Sequence, residues 1–126
     1  MKRFRIGMLA VTALSVVLVW ALPAGAQSSK TATAKVTTVN VTAGSPSEFK
    51  FKLSKLRVPK GIVVFNVKNV GAVGHDFKIA GRKTRVLQHN QSATLRVTFP
   101  RAAKFKYVCT VPTHETLGMW GNLTIT

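Results

Sequence analysis

The chain has 126 residues, room for one ordinary domain. With 19 Lys and Arg against three acids, Glu48, Asp76 and Glu115, it carries a formal charge of +16, which bears on partners and solubility rather than on fold. Its single cysteine, Cys109, excludes an internal disulfide framework.

The chain opens with Lys2, Arg3 and Arg5, runs apolar over residues 6–22 and reaches Ala24-Gly25-Ala26. A basic start, an apolar middle and a small-residue end make residues 1–26 a secretory signal peptide, with the cut expected after Ala26. The alternative is an uncleaved anchor, because the apolar run approaches the length that spans a bilayer. Removing three basic residues with the leader leaves a formal +13 on residues 27–126. Residues 27–34, rich in Ser, Thr, Lys and Ala, read as a flexible tether.

Short β-favouring runs follow, separated by Gly, Pro and Asn. They are residues 35–42, then 48–53 with Phe49, Phe51 and Leu53 on one face, and, after the turn Pro59-Lys60-Gly61, residues 61–69. A glycine loop at 71–74 leads into a strand at 75–80, where His75 shares a face with Phe77 and Ile79; an edge strand is expected at 82–87. Residues 92–99 and 104–109 alternate, the second with Phe105, Tyr107 and Cys109 in one register, and the last strand spans 119–126. Seven or eight short strands in this length predict an all-β, two-sheet antiparallel sandwich of Greek-key type.

The chemistry concentrates near the end. Cys109, His114 and Met119 stand five residues apart. Cys109 ends one predicted strand and Met119 begins the next, so residues 110–118 connect two neighbouring strand ends, with His114 midway. A thiolate, an imidazole and a thioether form a soft set: zinc sites rarely use Met, and calcium or magnesium would want oxygen donors. Two His and one Cys with a weak axial Met is the blue-copper pattern, and His75, at the start of an inward-facing strand, is the candidate for the second imidazole. Each residue also has an ordinary reading: Cys109 and Met119 as core and His114 as a solvated loop residue. Their joint order and spacing argue against it. His89 has no partner motif and reads as an exposed loop residue, Trp120 as a packing residue, and Glu115 as solvated or as an acidic spot on a basic docking face.

The segment Cys109-x4-His114-x4-Met119, with Tyr107-Val108 before it and Gly121-x-Leu123 after it, resembles the C-terminal signature of cupredoxins, the type 1 blue copper proteins. Gly74-His75-Asp76-Phe77 resembles their upstream histidine motif, and the loop spacing is more similar to the auracyanin and rusticyanin branch than to plastocyanin. The resemblance runs from about Lys35 to the end. It implies one copper ion, with Cys109 as the thiolate and electron path, His75 as the buried ligand, His114 as the ligand at the surface inside an apolar patch, and Met119 as the axial ligand. Two positions depart or match weakly. Asp76 stands where many cupredoxins have Asn or Ser, and Gly74 resembles the azurin residue whose carbonyl approaches copper.

The function expected from this resemblance is single-electron transfer by an exported protein, periplasmic or extracellular, or membrane-anchored if the leader stays. The alternatives are copper storage or delivery without electron transfer, and a basic module for anionic surfaces. Three histidines cannot furnish the further copper centres of oxidases and nitrite reductases, so no enzymatic activity is expected. The partners expected are acidic redox proteins docking near His114, around Val73, Val111, Pro112 and Leu117, with an anionic membrane surface as a further candidate. The basic residues are scattered, and nucleic acid is not an expected partner of an exported chain. A monomer is expected.

Overall fold

The structure, a computed structural model, describes residues 35–126; the expected leader at 1–26 and tether at 27–34 lie outside the described residues. Nine strands follow in order: β1 (Val36–Ala43), β2 (Phe51–Leu53), β3 (Arg57–Val58), β4 (Gly61–Asn69), β5 (Lys78–Ile79), β6 (Arg82–Lys83), β7 (Ser92–Phe99), β8 (Ala103–Val108) and β9 (Trp120–Ile125). They form two sheets, β2-β1-β4-β7 and β3-β9-β8-β5-β6. The two-sheet all-β sandwich expected from the alternation is present. Each sheet also holds one parallel pair, β1 with β4 and β3 with β9, so the sheets are mixed.

The long strands form where β-branched and aromatic residues alternate with polar ones. Along β4, Val63, Phe65 and Val67 point inward, and along β7, Leu95, Val97 and Phe99 do the same. These side chains meet Ile79, Tyr107, Leu123 and Ile125 from the other sheet, and Phe77 and Leu87 from the segments beside it, in one core. Each large apolar side chain so buried contributes about 1.5–3 kcal/mol.

The short elements differ most from the alternation. The predicted strand at 48–53 pairs only from Phe51, because Glu48 and Phe49 turn toward other partners. The strand expected at 75–80 is reduced to β5, with His75 held by an isolated bridge to Leu87. The edge strand expected at 82–87 pairs only at Arg82–Lys83.

Topology places one end of the sandwich under the candidate residues. β1 and β4 run parallel in register from Val36↔Ile62 to Ala43↔Asn69, so both finish at the same end. The segments after them therefore meet. β8 and β9 are antiparallel, with Val108 opposite Trp120, which brings Cys109 and Met119 to that end as well.

Candidate metal centre

The segment after β4 is pinned by Asn69, which is fully buried. Its amide donates to the carbonyls of Val73 (2.7 Å) and Leu87 (2.8 Å), while its Oδ1 accepts from Gly71 N–H (2.8 Å). All of its polar atoms are thereby paired, and the loop that delivers His75 is fixed. The backbone of His75 is held on both sides by Leu87, at 3.0 and 2.7 Å.

The 110–118 connection is folded by its own backbone. His114 N–H donates to Val111 O (3.1 Å), Leu117 N–H to Thr113 O (3.0 Å) and Gly118 N–H to Glu115 O (2.9 Å). Met119 N–H then reaches His114 O (2.9 Å) and Cys109 N–H reaches Met119 O (3.0 Å), closing the loop on itself. The turn needs a left-handed residue at Gly118, φ +94°.

These loops bring Cys109, His75 and His114 together. One donor atom from each lies within 4.8 Å of the others, and all three residues are buried. Nδ1 of His75 is 3.1 Å from Nδ1 of His114; Cys109 Sγ is 3.4 Å from His114 Nδ1 and 3.9 Å from His75 Nδ1. Met119 is fully buried in the same small cluster as Cys109 and Ala43, flanked by Phe49, Phe51 and Val111. All four residues singled out in the sequence thus gather at one end of the sandwich. His89 remains exposed, as expected, with Nδ1 against Gly71 O at 2.8 Å. Trp120, expected to pack, is half-exposed and lies beside the Lys106 ammonium, 5.0 Å from its ring centroid. Glu115 pairs with Lys106 at 2.5 Å.

Two carboxylates support the cluster. Asp76, almost fully buried, accepts from Thr110 N–H at 2.5 Å and from the Thr110 hydroxyl. It ties the residue after His75 to the residue after Cys109, and Lys83 stands 3.8 Å away. Asp76 stands where many cupredoxins carry Asn or Ser. Its carboxylate joins the two ligand-bearing segments by accepting alone.

Glu48 was not legible as a site residue. Its Oε1 lies 2.9 Å from His75 Nε2 and 3.1 Å from Val73 N, and its Oε2 accepts from Ala72 N–H at 2.9 Å. The backbone N–H groups of Ala72 and then Val73, with His75 adding to them, lower its pKa from 4.5 to about 2. The ionised carboxylate only accepts, so Nε2 of His75 carries the proton and Nδ1 presents a lone pair to Cys109 and His114. Gly71 makes room for this contact: a Cβ there would lie 2.4 Å from Glu48 Oε1 and 2.9 Å from His75 Nε2.

Burial pushes the Cys109 thiol up and the His114 imidazole down, which favours the protonated thiol and the neutral His114 ring. Binding a metal there would release the thiol proton. Two imidazole nitrogens, a sulfur that binds as thiolate and a neighbouring thioether form a donor set that fits copper, and neither calcium nor magnesium. His114 keeps 8% exposure and lines a cavity of about 360 Å³ whose walls include Val73, Val86, Val111, Pro112 and Lys83.

The comparisons with known proteins agree with this centre. Three solved structures share the fold. An auracyanin from Roseiflexus castenholzii is 19% identical, with a TM-score of 0.63 over 71% of this chain and 97% of its own. Auracyanin A from Chloroflexus aurantiacus, described as a "blue" copper protein, is 20% identical, with a TM-score of 0.59 over 73% and 100%. Rusticyanin from Thiobacillus ferrooxidans is 21% identical, with a TM-score of 0.62 over 73% and 78%. No curated protein sequence matches the chain. The family model for copper binding proteins of the plastocyanin/azurin family matches residues 37–126. That span takes in both loops that build the centre, so the chain belongs to this family, the cupredoxins, and its cofactor is one type 1 copper ion.

Proposed function

We propose that the protein is an exported electron carrier whose copper is held by His75, Cys109, His114 and Met119. One observation carries the reading: three buried donor atoms of the Cys-His-His type lie within 4.8 Å of one another beside a buried Met. Bound copper supplies a one-electron Cu(I)/Cu(II) couple. The chain's part is to hold the donors still. Backbone bonds, Asn69, Asp76 and Glu48 fix both loops, so little has to move when charge changes.

His114 is the exit. It alone of the two imidazole residues lines the surface cavity, whose apolar walls suit the small, transient contacts of redox encounters. The basic surface favours acidic partners, and the reading assigns no catalysis to the chain. The leader at 1–26 supports delivery to the periplasm or the cell exterior.

The test is protein-film voltammetry together with the rate of electron self-exchange, followed by reduction with an acidic redox protein at rising salt. A reversible one-electron wave, fast exchange and a rate that falls with ionic strength are expected. A copper-loaded protein with slow exchange and no reversible wave would move the function to copper storage or delivery. A rate indifferent to salt would remove acidic partners from the reading.

A further inference from the structure

The chain spends its three acids in one region. Glu48 contacts His75, Asp76 follows His75 and holds Thr110, and Glu115 follows His114. They differ in what they touch. Asp76 is engaged with Thr110 and faces Lys83, and Glu115 is half-exposed and paired with Lys106. Glu48 alone bonds to the ring of a copper-ligand candidate, on the nitrogen opposite the one that faces the cluster.

That arrangement has two consequences. A carboxylate on Nε2 fixes the tautomer and the plane of the ring, and makes Nδ1 a stronger donor. It also sets a negative charge one imidazole away from the metal, where the more highly charged ion gains more from it. The charge is built in. Two backbone N–H groups hold it, Gly71 lacks the Cβ that would displace it, and Gly44, φ +77°, packs so closely on Gly71 that a Cβ there would lie 2.5 Å from its Cα.

Resting on the copper reading above, we propose that Glu48 is a positioning residue for His75 that favours Cu(II) over Cu(I) and so holds the reduction potential below the value the same four ligands would otherwise give.

The experiment uses the copper-loaded full chain, with Glu48→Gln and Glu115→Gln beside it. Midpoint potentials are read by spectroelectrochemistry, and the ratio of Cu(II) to Cu(I) affinity by chelator competition. Glu48→Gln is expected to lose about tenfold of the Cu(II) preference, a rise of about 59 mV for a one-electron couple, while remaining blue. Glu115→Gln, a screened surface change, is expected to leave the potential in place. An unmoved potential in a blue Glu48→Gln protein, or an equal shift in Glu115→Gln, overturns the inference and leaves the copper reading standing. A wild-type protein that binds no blue copper overturns both. Should Glu48→Gln fail to fold, copper-loaded Glu48→Asp decides: the shorter carboxylate cannot hold the two amides and His75 Nε2 at once, so a raised potential is expected, and an unmoved one in a blue protein overturns the inference.

Discussion

Single residues at this centre act through what they can donate or accept. Glu48 accepts three hydrogen bonds and donates none, which is why it can orient His75 without competing for Nδ1. The same bonds make it a stability determinant of the copper-free protein. Its folded pKa is depressed from 4.5 to about 2, so the unfolded chain takes up its proton first as the pH falls. The stabilisation is complete above 4.5 and is lost as the pH drops through about 2. Thermal melts of the copper-free protein across that window are expected to show a steeper fall for wild type than for Glu48→Gln. Equal slopes would mean that the carboxylate is not held as described.

At the scale of elements, register and close approach decide what fits. Gly121 in β9 faces Tyr107 in β8, and a Cβ at Gly121 would lie 2.3 Å from the tyrosine hydroxyl oxygen and 2.4 Å from Cζ. The buried ring cannot swing away without disturbing Phe51 and Phe77, its aromatic neighbours. Gly121→Ala is therefore expected to cost about 1–3 kcal/mol of unfolding free energy by denaturant titration, as overpacking does. A neutral variant would show that the strand pair has slack.

The alternation of β4 and β7 was legible because each buries one face along its whole length, and both were read to the residue. The ligand loop was legible because its three donors follow one another in sequence. Glu48 was not, since its contact with His75 depends on the parallel pairing of β1 and β4, and periodicity carries no strand order or direction. The runs at 48–53, 75–80 and 82–87 were read too long for a related reason: a β-favouring side chain does not reveal that its backbone is bonded to a loop instead of a ladder.

The described residues form a sandwich with its chemistry at one end. The parallel strands deliver Glu48 and His75 there, and the antiparallel pair delivers Cys109 and Met119, with His114 folded between. The core between the sheets, with Phe65 against Phe77 and Phe99, runs from the centre toward the other end. The three acids stand beside the centre, and two of them face lysines there, Asp76 with Lys83 and Glu115 with Lys106. The most direct measurement is a titration of the copper-free protein with Cu(II), followed by visible absorption and electron paramagnetic resonance. An intense blue band and narrow copper hyperfine splitting, saturating at one equivalent and both lost in Cys109→Ser, are predicted. A colourless complex with an ordinary copper signal, unchanged in Cys109→Ser, would contradict the thiolate-centred site.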